Sequence, residues 1–400
     1  MIDFELSDTQ TDLIEAARNF ATEVVRPAEI LLDQMSDVGT MFHSKVFKDV
    51  MKQAFELGFH KMTISEKYGG LGLDPVTSGL VWEEIASKGP GIASTLISAG
   101  TVPRVITFIA ANNQELIDEF VIPYCEDTTG EHVTAWGSSE PNVGSDGCNY
   151  YDPKIRHQTT AVRTEKGYEL SGTKSDFISN GGIAKVYLMF ACLNPALGIR
   201  GSGVFIVPRH YSGVSTGRVL DKIGLRALNQ SAVFMEKVEL PEKYMIFPPG
   251  EGYVLLHNAI HTVGNVGIGY LALGLMRAAY EDALAYSKER VQGGKPIFNQ
   301  QLIAKQLFDT YQVIEATRAM LMKASWKSKQ TFPGDLKLSI ASKVFATTQA
   351  MHHTTRMQDV LGGYGISKEY RLEKYVRDAT LLQVMDGANG ILSLKGAALL

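Results

Sequence analysis

The residue best placed to do chemistry in this chain is an aspartate near the C-terminus, within residues 381–390, which read LLQVMDGANG. Asp386 follows five mostly apolar residues and is followed by the small residues Gly387 and Ala388. An apolar setting raises the pKa of a carboxyl group towards that of a working base. Small residues let a backbone come close to a planar ligand. The pattern indicates a general base beside such a ligand, although Asp-Gly taken alone is more often a turn.

Two loops rich in hydroxyl groups and glycine could hold the ligand. Residues 138–146, SSEPNVGSD, would expose backbone N–H groups and serine hydroxyls to an anion or a heteroaromatic edge. A surface turn explains this loop equally well. In residues 172–182, GTKSDFISNGG, Phe177 could stack on a planar ring while Ser179 bonds to the ring edge. An ordinary core phenylalanine followed by hairpin residues is the alternative.

Two helix ends in the C-terminal part have cationic or glycine-rich sequences. Arg290 precedes a glycine pair, so its guanidinium could reach a pyrophosphate or could simply cap a helix. Residues 359–365, DVLGGYG, hold three glycines in four positions. One glycine suffices for a helix cap, so the others indicate the close approach of a ligand or another backbone.

The composition is that of a globular enzyme with more than one domain. A chain of 400 residues exceeds the usual size of one hydrophobic core. The net charge of -4 gives no reason to expect nucleic acid or an anionic membrane as a partner. Three widely spaced cysteines predict a reducing compartment, no disulfide framework and no metal site.

The sequence also favours a cytoplasmic location without membrane insertion. The start, MIDFELSDTQ, is acidic and polar and predicts no signal peptide. No uninterrupted apolar run approaches the ~20 residues that span a bilayer.

Apolar periodicity and turn residues predict three domains: helical residues 1–130, a β domain at 131–248, and a helical bundle at 249–400. Ser7 and Gln10 form a capping box, and Pro27 is expected to end the first helix. This order, without βαβ alternation, predicts an α+β fold and argues against a Rossmann-type site. Further helices are predicted at 44–57, 77–86, 102–110, 114–120, 253–292, 300–329, 336–360 and 368–379 and after Asp386, and strands at 132–136, 159–163, 168–171, 186–192, 204–207 and 232–240.

Seven segments in register over more than 300 residues resemble the acyl-CoA dehydrogenase flavoprotein family. They are YGGLGL at 68–73, SSEPNVGSD at 138–146, GTKSDFISNGG at 172–182, KIGLRA at 222–227, AYSKERVQGGKPI at 285–297, DVLGGYG at 359–365 and DGAN at 386–389. The resemblance implies an N-terminal helical domain, a β-barrel-like middle domain and a C-terminal four-helix bundle. It also implies FAD, an acyl-CoA thioester substrate, a homotetramer and electron-transfer flavoprotein as the acceptor.

The resemblance assigns a role to individual residues as well. Asp386 would take the α-proton of the thioester while the β-hydride moves to the flavin, and its backbone N–H would bind the thioester carbonyl. The residues expected at FAD are Trp136, Ser138, Ser139, Gly144, Ser145, Phe177, Ser179, Arg290, Gln301, Asp359, Gly362, Gly363, Ala388 and Asn389. The residues expected at the substrate are Ser145, Gly264, Asn265 and Gly387.

The chain departs from the family at the base itself. The family usually has Glu in a sequence like Tyr-Glu-Gly-Thr, whereas Asp386 is shorter by about 1.5 Å of reach, a distance that matters to catalysis. The substrate then sits closer, or a different carbon loses the proton, or the base lies elsewhere. Gly264 and Asn265 occupy the position from which some members draw the base, and neither can act as one. Gly264, Gly267 and Gly269 would leave extra space beside the expected acyl chain. A short base beside that space predicts a bulky, branched or alicyclic acyl group; close helix packing explains the glycines equally well.

Two other functions stay open on the sequence. One is a nitroalkane-oxidase-like flavoenzyme, a branch that also uses Asp but acts on a small carbon acid without coenzyme A. The other is a non-catalytic FAD-binding subunit of a hetero-oligomeric dehydrogenase, paired with an active homologue.

Overall fold

A computed structural model describes residues 5–400 of the chain, so the first four residues of the predicted N-terminal domain and of its polar start lie outside it. Helices come first, then a sheet, then long helices, which confirms the predicted α+β fold. The helices are α1 Asp8–Phe20, α2 Arg26–Gln34, α3 Val38–Met41, α4 Lys45–Glu56, α5 Pro75–Lys88, α6 Pro90–Ala99, α7 Thr101–Ile109, α8 Gln114–Leu116, α9 Ile122–Glu126, α10 Gly252–Glu289, α11 Gln301–Gln330, α12 Leu336–Val360, α13 Leu372–Leu382 and α14 Asn389–Ala397. The strands are β1 Thr134–Gly137, β2 Thr160–Thr164, β3 Gly167–Lys174, β4 Val186–Cys192, β5 Ser202–Pro208, β6 Val214–Thr216, β7 Val233–Pro241, β8 Met245–Phe247, β9 Val291–Gln292 and β10 Lys295–Pro296.

The first helix begins as predicted and ends later. Ser7 Oγ accepts from the N–H of Gln10 at 3.3 Å, and the Gln10 side chain accepts from the N–H of Ser7 at 3.1 Å, which confirms the capping box. The predicted end at Pro27 is wrong, because a π-helical segment, Ala21–Val25, joins α1 to α2. A wider π turn accommodates the chain just before the missing N–H of proline. Helix α6 was not predicted; it begins at Pro90, a position where the missing N–H of proline costs no hydrogen bond.

The middle of the chain forms one largely antiparallel sheet. Its strand order is β6-β7-β3-β2-β4-β5-β8, and β1 pairs with β4 in parallel. Every residue of β4 and β5 is buried, which explains their continuous apolar sequences. The three-residue strands β6 and β8 were too short to predict. The β9–β10 hairpin ends the helix that was predicted to reach residue 292.

Helix α10 is the central helix of the C-terminal part and packs against α5, α11, α12 and α13. It and the stretch Pro90–Ile109 are long and apolar enough to span a membrane by composition. In both stretches most of the apolar window is buried inside the protein. Burial of this kind is what core helices of a globular protein show.

A buried lysine joins the three parts of the chain. Lys374 in α13 donates to Asp378 at 2.5 Å and to Glu29 of α2 at 2.9 Å. Glu29 also accepts the N–H groups of Gly91 and Ile92, which begin α6, at 3.1 and 3.0 Å. Asp378 accepts the N–H of Leu225, in the loop before β7, at 2.6 Å. Since Glu29, Lys374 and Asp378 are all buried, their mutual contacts fix how the helices and the sheet meet.

We predict that Lys374→Met lowers the free energy of unfolding by about 3–5 kcal/mol, because it leaves two buried carboxylates unpaired. Urea unfolding followed by circular dichroism measures the change. Lys337→Met, which removes an exposed lysine from the first turn of α12, is the matched control and is expected to change stability by less than about 0.5 kcal/mol. Equal stability of the two variants would contradict the structural role of Lys374.

Candidate active site

Asp386 lies in the short connection between α13 and α14, in an unusual backbone conformation. Its φ angle is 48°, in the left-handed region, and Gly387 follows with φ of 102°. Aspartate is one of the few residues other than glycine that adopt this conformation readily. The connection therefore turns sharply at Asp386. The N–H of Asp386 has no hydrogen-bond partner within residues 5–400 and is free to donate.

Side chains from two other elements hold this connection in place. Lys343 of α12 donates to the carbonyl oxygens of Gln383 and Gly387 at 3.2 and 2.8 Å, and to Asn389 Oδ1 at 2.9 Å. From the β domain, Ser145 Oγ accepts the N–H of Ala388 at 3.0 Å. The predicted flavin loop and the predicted base are thus brought together. Because Ser145 Oγ accepts this bond, its own hydroxyl hydrogen remains available to a ligand.

The carboxylate of Asp386 faces helix α10. A Cβ atom added to Gly264 would collide with Asp386 Oδ2, so the carboxylate occupies the space that a larger residue would fill. Asp386 is exposed as a residue, yet burial raises the pKa of its carboxyl group while Lys343 and Arg104 oppose the rise. A side chain that lines a cleft meets both conditions. The raised pKa is that of a more effective base.

The two predicted flavin loops lie next to each other. The carbonyl oxygen of Ser139 accepts the N–H of Ser175 at 3.0 Å. Beneath them, the fully buried Lys174 donates to Glu140 Oε1 at 2.7 Å, and Glu140 also accepts the N–H of Thr159 at 3.1 Å. Glu140 is therefore a structural residue of the SSEPNVGSD loop, and it holds Ser138 and Ser139 on the surface of the sheet.

Phe177 is exposed on this surface, which rules out the alternative of an ordinary core phenylalanine. Its side chain is 66% exposed, while its carbonyl oxygen accepts a bond from Gln230 at 3.1 Å. Ser179 is half-buried beside it and bridges to Gln230. Trp136, at the end of β1, is half-buried with its ring 5.2 Å from that of Phe190. A fixed backbone with an uncovered aromatic ring fits a planar cofactor.

The residues predicted at the far end of the cofactor lie on the surface of the bundle. The guanidinium of Arg290 lies 5.6 Å from the ring centre of Tyr364, which directly follows Gly362 and Gly363. A Cβ added to either glycine would meet nothing within 4 Å, so their backbones are open to a ligand. The remaining exposed residues of the predicted set are Gly144, Gln301 and Asp359.

The predicted substrate residues fall into two groups. Gly264 and Gly387 adjoin the Asp386 carboxylate and the Lys343 ammonium, respectively. Asn265 is fully buried and donates to the carbonyl oxygen of His261 at 2.7 Å, so it lies inside the helix packing. Gly269, which the sequence placed beside the acyl chain, instead packs against Leu321 of α11. The amide of Asn389, predicted at FAD, is engaged by Lys343 and Thr347.

Sequence reasoning missed two cations of the site, Lys343 and Arg104. Both lie in ordinary helical sequence, so no local motif marked them. It also missed a cluster in which Cys148, His257 and His261 place ligand atoms within 4.8 Å of one another. Burial lowers the pKa of His257 to about 3, so its ring is neutral.

Hydrogen bonds account for the histidine cluster. Nδ1 of His257 lies 2.9 Å from the hydroxyl of Tyr150, and Lys395 Nζ donates to that hydroxyl at 2.7 Å. Lys395 Nζ also lies 3.5 Å from Nδ1 of His261. An amino group beside both rings makes the cluster a polar network that joins α10 to α14.

The comparisons with known proteins agree with this geometry. Residues 7–125, 135–238 and 250–398 match the family models for the N-terminal, middle and C-terminal domains of acyl-CoA dehydrogenase. A short-chain specific acyl-CoA dehydrogenase of Megasphaera elsdenii is 32% identical, with 100% of both chains covered. The chain belongs to the acyl-CoA dehydrogenase family. It is accordingly an FAD-dependent oxidoreductase, as the sequence predicted.

Two more relatives place the chain within the acyl-CoA dehydrogenase family. A cyclohex-1-ene-1-carbonyl-CoA dehydrogenase of Syntrophus aciditrophicus is 30% identical over 97% of this chain and 88% of its own. The solved structure of butyryl-CoA dehydrogenase from Megasphaera elsdenii superposes with a TM-score of 0.89 at 30% identity, covering 100% of both chains. The exposed Phe177 ring, the Ser145 hydroxyl and the open Gly362–Gly363 backbone fit the FAD that the acyl-CoA dehydrogenase family uses.

We predict that Asp386→Asn stabilises the folded protein at pH 7. Burial raises the pKa of Asp386 above its unfolded value of about 3.9, so ionisation of this group favours the unfolded chain as the pH rises. Asparagine has nearly the same shape, tolerates the left-handed conformation and carries no charge. The urea midpoint of the variant is expected to exceed that of the parent at pH 7, and the excess to shrink as the pH falls towards the unfolded pKa of about 3.9 and to vanish about one pH unit below it.

Asp12→Asn, which removes one exposed carboxylate from α1, is the matched control for the loss of one negative charge. Both proteins are compared at equal FAD content. If the parent is more stable than Asp386→Asn at pH 7, the pKa of Asp386 is not raised by burial.

Proposed function

We propose that this chain dehydrogenates an acyl-CoA thioester whose acyl group is bulky, branched or alicyclic, with Asp386 as the base. The observation that carries the proposal is the position of the Asp386 carboxylate. It lies over Gly264 of α10, on a connection that Lys343 holds at three oxygen atoms and that Ser145 of the predicted flavin loop holds at the N–H of Ala388. A carboxylate with a raised pKa in a cleft is suited to removing a proton from a weak carbon acid.

The residues around Asp386 would each perform one part of the reaction. The Asp386 carboxylate takes the α-proton, and FAD, when bound, accepts the β-hydride. The free N–H of Asp386 donates to the thioester carbonyl oxygen, where negative charge develops as the proton leaves. The Lys343 ammonium lies close enough to attract the Asp386 carboxylate and so also favours negative charge in the cleft. Because Lys343 and Ser145 fix the backbone on both sides, the base and the N–H keep their relative positions.

The short side chain of the proposed base supports a wide acyl group in the substrate. Aspartate is one methylene shorter than the glutamate of the family, and its carboxylate is drawn towards α10 by the space over Gly264. A base withdrawn in this way leaves more room on the substrate side than a glutamate would. Gly264 thus accommodates the carboxylate of Asp386. The room left on the substrate side supports a wider acyl group. The similarity to a cyclohex-1-ene-1-carbonyl-CoA dehydrogenase supports an alicyclic one.

We propose a cytoplasmic homotetramer that passes its electrons to an electron-transfer flavoprotein. Helix α11 exposes the large apolar side chains of Leu302, Phe308 and Tyr311, which are 68%, 59% and 44% exposed. Phe308 and Tyr311 lie on the same face of the helix with their ring centres 6.2 Å apart, and exposed aromatic side chains grouped in this way mark an interaction surface. The exposed glycine pair and Arg290 would then meet the cofactor near a neighbouring copy. Light scattering on the eluted protein tests the assembly, and a monomer would contradict it.

We predict that Asp386→Asn keeps bound FAD but slows flavin reduction by cyclohexanecarbonyl-CoA at least about 100-fold, since it removes the general base. Anaerobic bleaching of the flavin band measures the rate. Asp386→Glu restores a longer reach and is expected to shift preference towards straight-chain butyryl-CoA. Parental rates in Asp386→Asn would show that the base is another residue.

The same assay separates the two other functions. Bleaching of the parent by nitroethane but by no thioester would favour the nitroalkane-oxidase-like enzyme. A parent that binds FAD and is bleached by neither would favour the non-catalytic subunit.

We predict that Gly264→Ala slows flavin reduction about 10- to 100-fold, because the added methyl group displaces the carboxylate of Asp386 from α10 by an ångström or more. Gly390→Ala is the matched control: it adds the same methyl group in the first turn of α14, where nothing lies within 4 Å. Single-turnover rates with saturating cyclohexanecarbonyl-CoA measure both. Equal rates in the two variants would mean that the base does not act from its place over Gly264.

A further inference from the structure

One polar cluster of the chain has no part in the reaction proposed above. Cys148 ends the 3₁₀ turn that begins at Ser145, and His257 and His261 lie four residues apart in α10. Residues at this spacing share one face of a helix, and the centres of the two imidazole rings are 4.3 Å apart. The ligand atoms of the three side chains, one sulfur and two nitrogens, lie within 4.8 Å of one another. The sequence predicted no metal site because its cysteines are widely spaced, yet the fold brings one of them to a histidine pair.

The hydrogen bonds around His257 leave one of its ring nitrogens as a bare acceptor. The hydroxyl of Tyr150 donates to Asn258 Oδ1 at 2.9 Å. Since a hydroxyl has one hydrogen, its oxygen accepts from the N–H at Nδ1 of His257, which lies 2.9 Å away. A neutral imidazole that carries its hydrogen on Nδ1 has a lone pair on Nε2. A histidine that binds a metal through one nitrogen usually donates from the other in this way.

The polar atoms around the cluster are only partly paired by the protein. Within residues 5–400, neither the Cys148 sulfur nor Nε2 of either histidine takes part in a hydrogen bond. The hydroxyl of Tyr253, whose ring stacks on that of His257 at 5.7 Å, is buried without a partner. Buried polar groups without a partner are rare, and a bound ion with its water accounts for them. Because Cys148 is half-buried, an ion can enter from solvent.

We propose that Cys148, His257 and His261 bind a zinc ion, with water as the fourth ligand. One thiolate and two imidazoles are ligands that Zn²⁺ prefers, whereas Mg²⁺ and Ca²⁺ need oxygen ligands. On binding, the S–H bond of Cys148 breaks, its proton passes to solvent and the sulfur binds the ion as a thiolate. The ion would tie the turn that carries Ser145 to α10, the helix that carries Gly264.

The spacing of the ligand atoms suits zinc after a small movement. Tetrahedral zinc, with bonds of about 2.0–2.3 Å, needs its ligand atoms roughly 3.3–3.7 Å apart. Atoms that lie within 4.8 Å of one another reach this spacing by shifts of about an ångström, which rotation of the three side chains can supply. The backbones of α10 and of the turn then stay where they are.

Lys395 opposes the ion and thereby provides one test of the site. Its Nζ lies 3.5 Å from Nδ1 of His261 and donates to the Tyr150 hydroxyl at 2.7 Å. A cation beside the ligands repels Zn²⁺, and the negative charge of the Cys148 thiolate offsets part of this repulsion. Lys395→Met keeps most of the side-chain length and removes the charge. It is therefore expected to tighten zinc binding at least about 3-fold.

Titration of the metal-free, FAD-bound protein with Co²⁺, after removal of any affinity tag, tests the proposal directly. Co²⁺ replaces zinc in tetrahedral sites and then gives intense ligand-field bands at longer wavelengths than oxidised flavin absorbs. The parent is expected to bind one Co²⁺ per chain and to lose it to one equivalent of Zn²⁺. Cys148→Ser is expected to weaken zinc binding at least about 100-fold, because a hydroxyl replaces the thiolate. Cys192→Ser, which removes a thiol from β4, is the control and is expected to bind zinc as the parent does.

A second pair of variants tests the histidines. His261→Gln is expected to abolish the ligand-field bands, whereas His43→Gln, which removes an exposed histidine after α3, is expected to keep them. Zinc is also expected to slow alkylation of Cys148 by iodoacetamide at least about 10-fold in the parent, since a metal-bound thiolate is shielded. Peptide mass spectrometry locates the alkylated residue. FAD content and melting temperature show that each variant is folded.

The outcomes separate the zinc site from the proposed function. A parent without tetrahedral cobalt bands, or Cys148→Ser that binds zinc as tightly as the parent, overturns the site. Weaker zinc binding in Lys395→Met than in the parent contradicts a place beside Lys395. No thioester is present in these measurements, so a protein that binds zinc but is bleached by no thioester keeps the site and loses the dehydrogenase.

Discussion

The pairing of one buried lysine with two buried carboxylates governs the geometry of the whole chain. Lys374 contacts Glu29 and Asp378, and these carboxylates in turn accept backbone N–H groups from the start of α6 and from the loop before β7. A buried charge without its partner costs several kcal/mol, so few other arrangements of the domains are stable. Neutral side chains could fill the same volume. Only charges with fixed donors and acceptors also specify which helix meets which loop.

This constraint reaches the base through a short rigid path. Lys374 and Asp378 lie on α13, and the helix ends four residues after Asp378, at Leu382. Asp386 then follows within one turn of chain. Its left-handed backbone conformation is one that aspartate adopts more easily than glutamate does. The aspartate in place of the usual glutamate therefore suits the sharp connection. Lys343 holds this turn by donating hydrogen bonds to the carbonyl oxygens of Gln383 and Gly387.

The sequence predicted the order of the domains and the loops that meet at the site, because these depend on local signals. Gly-rich loops, strand-length apolar runs and the Asp-Gly turn are all readable in short windows. It did not predict the π segment before Pro27 or helix α6, which begins at Pro90. The domain boundaries at residues 130 and 248 stay predictions.

The cations of the site were beyond local sequence signals for a different reason. Lys343 and Arg104 acquire their importance from tertiary contacts with residues far along the chain, Gly387 and Asp386. Each lies in an ordinary helical sequence in which a lysine or arginine is expected to face solvent. The burial of Asn265 is the converse case, since a polar residue next to Gly264 looked available to a ligand and instead bonds to the preceding turn of its own helix.

Two opposing effects act on the pKa of Asp386, the proposed base. Burial favours the protonated form of Asp386, and the two cations favour the ionised form; burial dominates, so the pKa is raised. Burial alone would leave the group protonated over more of the working pH range and thus unable to accept a proton. Cations alone would hold a carboxylate too weakly basic to take one from carbon. In the proposed reaction this balance would suit Asp386 to take a proton from carbon, and the same cations would favour the negative charge that moves to the substrate when the proton leaves.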